Sequence, residues 1–478
     1  MSFDHHKIFV GGQWITPSSD QRSPIINAST EEVIGSVPKC NTADMDTAVA
    51  AARDAMKSPA WGGLDGKGRA AHILRFADAI EKRGKQLAES VSLQNGMPIN
   101  VADTLESEFV VGVLRYYAAL AEGMVDEEVR PSPTGATTIV RREPMGVVGA
   151  IIPWNFPVAL SIFKIAPALA AGCAIVIKPS SGTVLDSYIL AEAAAEADMP
   201  PGIINWVPGD RTIGSHLVTH PGVDKVAFTG STGAGRIIAE QCARLLRPVT
   251  LELGGKSAAI VLEDANMDAV IQSLPMTSVL NNGQACFSCT RILAPASKYD
   301  QVVEAIASGV GNLPVGEALD RNTVIGPMAS AGHRDSVQNY IDLGSSEARV
   351  VVGGGKTDRE RGYFVKPTVF ADVDNNSRVA QEEIFGPVLC VIKYKDEDDA
   401  IRIANDSDFG LGGTIWSEDR DHANDLARRV ETGTIGINGY MPDLNAPFGG
   451  VKDSGLGREL GPESLGSYLR YKSIYQLG

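Results

Sequence analysis

Short hydrophobic runs alternate with longer amphipathic segments from residue 147 to about residue 253. Five of these runs predict strands, at residues 147–152, 174–178, 203–207, 225–229 and 249–253. The segments between them have helical spacing, at residues 158–171, 184–197, 212–220 and 233–246. Strands that alternate with helices predict a doubly wound parallel sheet. Ligands of such sheets bind beyond the carboxyl ends of the strands, so the residues that follow each run are the candidates for chemistry.

A second alternation of the same kind predicts another α/β domain. Its strand-like runs lie at residues 258–262, 291–294, 388–394, 412–416 and 434–438. Its helix-like segments lie at residues 267–280, 299–310, 396–405 and 419–430. The chain before residue 122 is mostly helical in pattern, with Ala-rich runs at 46–56, 68–90 and 101–122. The predicted fold class is therefore α/β, with two doubly wound domains.

Two β-prone segments stand apart from both alternations. The segment TTIVRRE, residues 137–143, is rich in β-branched residues and predicts an exposed strand with a free pairing edge. The C-terminal segment RYKSIYQLG, residues 470–478, is short and aromatic, so we expect it to pair with another strand.

Composition and charge exclude several classes of protein. Hydrophobic residues make up 44% of the chain and charged residues 21%, which is typical of a globular protein. The chain has 43 Lys and Arg residues and 58 Asp and Glu residues, and the resulting net charge of −15 repels nucleic acid and anionic lipid. The polar N-terminus is unlike a secretory signal. We therefore expect a cytoplasmic location, with neither a nucleic-acid partner nor a membrane partner.

Six cysteines without CxxC spacing predict free thiols, and neither a disulfide framework nor a zinc site. A free thiol among apolar residues is by itself more often an inert core residue than a reactive one. Cys286 is the candidate exception, because a glycine and a glutamine come shortly before it and suggest a tight turn. Cys289 is expected on the same helix face as Cys286, with a structural role.

The segments that follow the predicted strands occur in a distinctive order. They are PWNFP (153–157), KPSS (178–181), VPG (207–209), FTGSTGAG (228–235) and ELGGK (252–256), followed by GQACFSCTR (283–291). Two later segments are EEIFGP (382–387) and PFGGVKDSGLGREL (447–460). In this order the chain resembles the aldehyde dehydrogenase superfamily over nearly its whole length. Several motifs in collinear order are more specific than any one of them alone.

The resemblance implies that Cys286 is the catalytic nucleophile. Its thiolate would add to an aldehyde carbonyl, and loss of hydride would leave a thioester that water can cleave. Glu252 would be the base that activates this water, although a glutamate taken alone is more often a solvated surface charge. Asn155 would donate a hydrogen bond to the oxyanion together with the backbone N–H of Cys286. Lys164 resembles a lysine that steadies this region in relatives.

A nicotinamide dinucleotide, NAD or NADP, is the cofactor that the resemblance implies. Gly230 and Ser231 lie between a strand and a helix, where backbone N–H groups bind a pyrophosphate. Lys178 and Ser180 resemble the residues that hold the adenosine ribose. Ser181 stands where many NAD-preferring relatives have Glu, so NADP use stays open. The other implied contacts are Ile152, Pro153, Trp154, Gly209 and Leu253, with Glu383 and Phe385 at the nicotinamide ribose and ring.

Aromatic side chains are expected to line the substrate tunnel. The positions where relatives place tunnel residues hold Phe156, Phe163, Leu280, Phe287 and Phe448. These residues predict an uncharged, hydrophobic aldehyde as the substrate. No arginine pair for a substrate carboxylate or phosphate stands near them. No metal is implied, because cysteine, amide and nicotinamide supply the nucleophile, the oxyanion donor and the hydride acceptor.

The same resemblance divides the chain into three parts. Residues 1–124 and 145–254 would form the dinucleotide-binding domain, and residues 255–456 the catalytic domain. Residues 125–144 and 457–478 would form an oligomerisation element. An edge strand of one subunit would then continue the sheet of another, so a homodimer or homotetramer is expected.

Three alternatives stand beside NAD(P)-dependent oxidation of a hydrophobic aldehyde. A dedicated semialdehyde dehydrogenase would prefer acidic aldehydes to neutral ones. A catalytically retired member would serve as a structural or binding protein, but the intact Cys286, Glu252 and Asn155 argue against this. A thiol hydrolase would pair Cys286 with a histidine, and no histidine lies close to it in the sequence.

Overall fold

The computed structural model describes residues 3–133 and 135–476 of the chain. Residues 1, 2, 134, 477 and 478 lie outside the described part. They include the first residues of the predicted dinucleotide-binding domain and the last residues of the predicted oligomerisation element. The described chain forms two large sheets covered by helices, together with three smaller sheets. The predicted α/β class is therefore confirmed.

The first large sheet has eight strands, and its five central strands are the five that the hydrophobic runs predict. Its spatial order is Gly455–Leu456, Val249–Glu252, Lys225–Thr229, Val147–Ile151, Ala174–Lys178, Ile204–Trp206, Ile8–Val10 and Gln13–Ile15. The five central strands are parallel, and the strands at both edges are antiparallel to their neighbours. The connecting helices are Pro157–Ala171, Leu185–Glu196, Arg211–Thr219 and Thr232–Arg244. This order is that of a doubly wound sheet.

Helix Pro157–Ala171 is buried along its entire length. Proline suits its first position, because the missing N–H would have no partner there, and Gly172 ends it with a φ of 89°. Helices Gly66–Glu81 and Phe109–Glu122 pack on it, while helix Thr42–Lys57 packs on the strands of the sheet. The remaining helical segments of this region are Pro59–Gly62, Gly84–Asn95, Ile99–Ala102 and the π-helix Asp103–Glu108.

The N-terminal region is less helical than its sequence pattern predicts. Five short strands precede the first helix, at Phe3–Asp4, Ile8–Val10, Gln13–Ile15, Arg22–Ile26 and Val33–Pro38. Two of them form a hairpin at the edge of the first sheet, and its turn uses Gly11 and Gly12 with φ of 63° and 78°. Strands of this length span too few residues to produce a clear alternation.

The second large sheet has seven strands. Its order is Arg349–Val352, Thr368–Ala371, Val388–Tyr394, Cys289–Pro295, Ser257–Val261, Gly413–Trp416 and Gly436–Ile437, and only the first of these runs antiparallel to its neighbour. Its helices are Met267–Thr277, Leu280–Gly283, Ala296–Lys298, Tyr299–Gly311, Ala331–Glu347, Arg378–Gln381, Glu397–Asn405 and Arg420–Ala427. The sequence pattern predicts five of the seven strands. It misses Arg349–Val352, Thr368–Ala371 and the helix Ala331–Glu347.

The predicted β element is a three-stranded antiparallel sheet, here called the ribbon, formed by Glu127–Pro131, Thr137–Pro144 and Leu469–Gln476. The C-terminal strand pairs with Thr137–Pro144 along its full length, so the expected pairing of the tail is confirmed. Gly455–Leu456, which the predicted boundaries assign to the catalytic domain, pairs with the first sheet. The remaining elements are the pair Phe409–Gly410 and Val451–Lys452, and the helix Gly461–Gly466. Among the described residues, no helix combines the length and apolar character that crossing a membrane requires.

Candidate active site

Cys286 lies in a tight turn between the short helix Leu280–Gly283 and the strand Cys289–Pro295. Asn281 and Asn282 have φ of 49° and 64°, in the left-handed region that residues other than glycine adopt at a cost. Cys286 is half-buried and faces a cavity. The prediction that Cys289 shares a helix face with Cys286 is wrong, because the helix ends before Cys286 and Cys289 begins a strand.

The cavity beside Cys286 has a volume of about 270 Å³. Four of the expected tunnel residues line it, Phe156, Phe163, Phe287 and Phe448, whereas Leu280 is buried outside its wall. The other lining residues are Thr104, Leu105, Phe109, Asn155, Ala159, Leu160, Met276, Met441 and Pro442. None of the described residues that line it carries a charge. A larger hollow of about 550 Å³ lies beside the ribbon, and no predicted site residue lines it.

Asn155 follows the central strand Val147–Ile151 and lies just before helix Pro157–Ala171. Its side-chain Nδ2 donates to the backbone oxygen of Gln284, at 2.9 Å, in the turn that carries Cys286. Its own backbone oxygen accepts hydrogen bonds from Nδ2 of Asn95 at 2.9 Å and from Nδ2 of Asn281 at 2.8 Å. These bonds join the loop after strand Val147–Ile151 of the first sheet to the turn before strand Cys289–Pro295 of the second.

Glu252 ends the strand Val249–Glu252 and is 2% exposed. Neither oxygen of its carboxyl group has a hydrogen-bond partner within the described chain. Gly449, with a φ of 151°, lies directly over it, and a Cβ there would be 2.6 Å from Oε1. Burial raises the pKa of Glu252 well above its usual value, and the Glu459 carboxylate raises it further, against the opposing effect of Lys164.

The two glycines after Glu252 allow three segments to come together. A Cβ at Gly255 would lie 2.3 Å from the backbone oxygen of Cys286, and a Cβ at Gly254 would lie 2.6 Å from Oε2 of Glu383. The backbone N–H of Gly255 donates to Oε1 of Glu383 at 2.9 Å. Burial raises the pKa of Glu383 to about 7. These glycines are therefore required by the close approach of the chain to itself.

The Cys286 thiol lies near these buried carboxyl groups. Burial raises its pKa well above the usual range, and the carboxyl groups of Glu383 and Glu252 add to the increase. A positive charge near the thiol would oppose this increase in its pKa.

A buried ion pair supports the loop over Glu252. Nζ of Lys164 donates to Oε1 of Glu459 and to Oγ1 of Thr229, each at 2.7 Å. Both charged residues are almost fully buried. The pair joins helix Pro157–Ala171 to a segment 295 residues further along the chain.

Most of the predicted cofactor residues lie at the carboxyl edge of the first sheet. Lys178 ends its strand and is 9% exposed, and burial lowers its pKa to about 8. The other residues that follow a strand at this edge are Ile152, Pro153, Trp154, Ser180, Ser181, Gly209 and Gly230, and Leu253 is buried beside them. The Ser231 hydroxyl caps helix Thr232–Arg244 by accepting from the backbone N–H of Ala234 at 3.4 Å. A Cβ at Gly233 would meet no atom within 4 Å, so the first turn of this helix is open.

Phe385 belongs to an aromatic cluster with Trp154 and His333. Its φ of 61° is unusual for a bulky residue. Nε2 of His333 donates to its backbone oxygen at 2.7 Å, and the Trp154 and Phe385 rings pack edge to face with centroids 5.4 Å apart.

Sequence reasoning misses several polar residues of this region. Asn95, Asn281 and Gln284 are buried carboxamides, and each lies in or beside a glycine-containing turn, QNG at 94–96 or NNGQ at 281–284. That turn signal is visible in the sequence. The partners of these amides come from distant segments, and the sequence does not reveal them.

Comparisons with known proteins match nearly the whole chain to one family. A family model described as the aldehyde dehydrogenase family matches residues 14–474. Geranial dehydrogenase from Castellaniella defragrans is 78% identical over 478 residues, which cover the whole of both chains.

Solved structures agree with the fold. The crystal structure of aldehyde dehydrogenase from Mycobacterium tuberculosis complexed with NAD+ has a TM-score of 0.97 and 43% identity, and the match covers 100% of this chain and 99% of that one. A mutant of aldehyde dehydrogenase C from Pseudomonas syringae, complexed with NAD+ and octanal, has a TM-score of 0.94 and 36% identity, with 98% and 96% covered.

The buried ion pair makes a prediction about stability. We expect Lys164→Met to lower the free energy of unfolding by about 3–5 kcal/mol, because it leaves the Glu459 carboxylate buried without its partner. Thermal melting measures the effect. Arg244→Met is the control, since Arg244 and Glu240 form an exposed pair worth about 1 kcal/mol or less. Similar melting temperatures for the two variants would show that the buried pair contributes little.

Proposed function

This chain belongs to the aldehyde dehydrogenase family, and we propose that it oxidises a hydrophobic aldehyde to the carboxylic acid through Cys286, with NAD as the hydride acceptor. The observation that carries the proposal is the uncharged cavity that ends at Cys286 and Asn155. A passage of this kind admits an apolar chain and brings a single reactive group to the thiol.

The first step forms a bond between Cys286 and the substrate. The sulfur adds to the carbonyl carbon, the thiol proton passes to solvent water, and the carbonyl oxygen becomes negatively charged. The Asn155 amide nitrogen carries two N–H groups and uses one of them on Gln284. The other N–H, together with the backbone N–H of Cys286, stabilises the oxyanion.

The carboxyl edge of the first sheet fits a dinucleotide. The open first turn of helix Thr232–Arg244 offers backbone N–H groups to a pyrophosphate, beside Gly230. Lys178, Ser180 and Ser181 would hold the adenosine ribose, and Glu383 and Phe385 the nicotinamide end. NAD, when bound, would supply the hydride acceptor. The structures from Mycobacterium tuberculosis and Pseudomonas syringae are both complexed with NAD+.

Glu252 acts in the second half of the reaction. Once hydride has left, Cys286 carries a thioester, which water must attack. Glu252 takes a proton from this water, the carbon–oxygen bond forms, the carbon–sulfur bond breaks and the acid is released. A carboxyl group whose pKa is raised by burial is a stronger base when ionised, which suits this role.

The substrate class follows from the cavity and from two relatives. One relative is called geranial dehydrogenase, and another binds octanal in its crystal structure. Geranial and octanal are both uncharged aldehydes with long apolar chains. The semialdehyde alternative is not favoured, because no Arg or Lys is among the described residues that line the cavity. A retired or purely structural member is not favoured either, since Cys286, Asn155 and Glu252 are all in place.

A panel of aldehydes tests the function. We expect kcat/KM with NAD to rise about fourfold for each added methylene until the cavity is filled, since burial of a methylene is worth about 0.8 kcal/mol. Octanal and geranial should therefore exceed propanal, and a short aldehyde with a carboxylate should be poorest. Cys286→Ala is the control and should form no NADH above background. Preference for the acidic aldehyde would contradict the proposal.

Replacement of the base separates the two halves of the reaction. We expect Glu252→Gln to give a burst of NADH of one equivalent per site, followed by little steady turnover, because hydride loss precedes the attack of water. Stopped-flow absorbance records both phases. Loss of the burst itself would place Glu252 in an earlier step.

Cofactor choice tests the position of Ser181. We expect the wild type to prefer NAD and still to accept NADP, because Ser181 puts no negative charge beside the ribose. Ser181→Glu should reduce kcat/KM for NADP by about 5- to 150-fold more than for NAD, the effect of a like-charge contact worth about 1–3 kcal/mol. Equal losses with both cofactors would show that Ser181 does not face the adenosine ribose.

We further propose that the ribbon is an oligomerisation element and that the chain forms a homodimer or homotetramer. The proposed division has a dinucleotide-binding part, residues 1–124 and 145–254, and a catalytic part, residues 255–456, except that Gly455–Leu456 pairs with the first sheet and belongs with the dinucleotide-binding part. The ribbon has two outer edges and exposes large apolar side chains, among them Val129 at 65% and Tyr475 at 73% exposure. An exposed strand edge with apolar side chains favours pairing with a second chain.

Light scattering at micromolar concentration measures this assembly. We expect the mass of two or four chains, unchanged on moderate dilution, because the exposed strand edges and apolar side chains of the ribbon would pair with a second chain. A mass of one chain would refute the proposed role of the ribbon.

A further inference from the structure

Glu106 is a fully buried acidic residue that the proposed mechanism does not use. It lies in the π-helix Asp103–Glu108. Its Oε2 accepts a hydrogen bond from the backbone N–H of Val158 at 2.7 Å, and its Oε1 accepts one from Ala159 at 3.3 Å. Both oxygens are therefore committed to the first turn of helix Pro157–Ala171.

That first turn has no cap of its own. Phe156 is at the N-cap position, and its side chain cannot accept the free N–H groups that every helix start presents. Glu106 supplies the missing acceptors from another element. When it is ionised, the Glu106 carboxylate would also interact favourably with the positive end of the helix dipole.

The two elements that Glu106 joins are both walls of the cavity. The π-helix contributes Thr104 and Leu105 to the lining, and the helix start contributes Phe156 and Ala159. Asn155, the proposed oxyanion donor, comes immediately before this helix. The contact therefore fixes both the width of the passage and the position of the loop that presents the amide.

Keeping an acid here is costly. Burial raises the pKa of Glu106 to about 8, the hydrogen bond from Val158 opposes this change, and the neighbouring buried Asp186 adds to it. A glutamine would avoid the cost of burying an acid. Its carboxamide has a single oxygen, so the two N–H groups could not each have an acceptor oxygen of their own. The carboxyl group is thus matched to the two donors it holds.

We propose that Glu106 is a positioning residue for the acylation step, which acts by holding the Asn155 amide against the aldehyde oxygen. This inference rests on the proposed role of Asn155. It assigns Glu106 no contact with the substrate.

A double-mutant cycle tests the inference. Glu106→Gln, Asn155→Ala and the double variant are compared by the rate constant of the NADH burst with octanal and saturating NAD. We expect Glu106→Gln to slow the burst about tenfold or more, as for loss of a hydrogen bond to a charged group. In the Asn155→Ala background the same change should have almost no further effect, because the amide that it positions is already gone.

A purely structural role gives a different result. If Glu106 only stabilised the fold, its replacement would slow the burst by the same factor in both backgrounds, and this outcome would overturn the proposal. Asp186→Asn, at the neighbouring buried acid, is the matched control, and any effect it has should be equal in both backgrounds. Glu106→Asp keeps a carboxylate and should recover part of the burst rate, and it replaces Glu106→Gln in the cycle if that variant does not fold. An unchanged burst in Asn155→Ala alone would instead refute the oxyanion role of Asn155, and the inference with it.

Discussion

Burial of the ionisable groups around Cys286 is the constraint on which the proposed chemistry depends. Burial raises the pKa of Cys286, Glu252 and Glu383, so each of these acids is harder to ionise than it would be in water. A buried charge is tolerated only when partners surround it. Lys164 and Oε1 of Glu459, next to Glu252, are such partners for each other, whereas neither oxygen of Glu252 has a hydrogen-bond partner among the described residues.

These buried groups come from segments that are far apart in the sequence. The carboxyl edge of the first sheet brings Asn155 and Glu252, and the turn before strand Cys289–Pro295 brings Cys286. Gly255 and Gly449 let these segments approach more closely than any side chain would allow. Buried carboxamides then join the two sheets, with Asn155 bonded to Asn95, Asn281 and Gln284. The cavity, Cys286 and Glu252 therefore belong to one packing arrangement.

Much of this fold can be predicted from the hydrophobic pattern alone. The five central strands of the first sheet are continuous apolar runs, because parallel strands are buried on both faces. Strands such as Ile8–Val10 are too short for a pattern, and the exposed half of Arg349–Val352 weakens its hydrophobic signal. The position of Cys289 is mispredicted since a left-handed turn at Asn281 and Asn282 replaces the expected helix. The NNGQ segment at 281–284 carries a turn signal, but the spacing of Cys286 and Cys289 does not show that this turn ends the helix before Cys286.

The site is less accessible to sequence reasoning than the fold. Cys286, Glu252 and Asn155 stand out through motif order, since each follows a strand or a turn. The pairing of Lys164 with Glu459, and of Glu106 with the start of helix Pro157–Ala171, depends on long-range packing. Nothing in the local sequence distinguishes these acids from solvated ones, because burial is a property of the folded chain.

The central claim is that the aldehyde becomes bonded to the sulfur of Cys286. The most direct test is peptide mass analysis of the Glu252→Gln variant, quenched with acid while it turns over octanal and NAD. We expect an octanoyl group on the peptide that contains Cys286, held as a thioester and released by hydroxylamine. An unmodified Cys286 peptide in a sample that has formed one equivalent of NADH would contradict it.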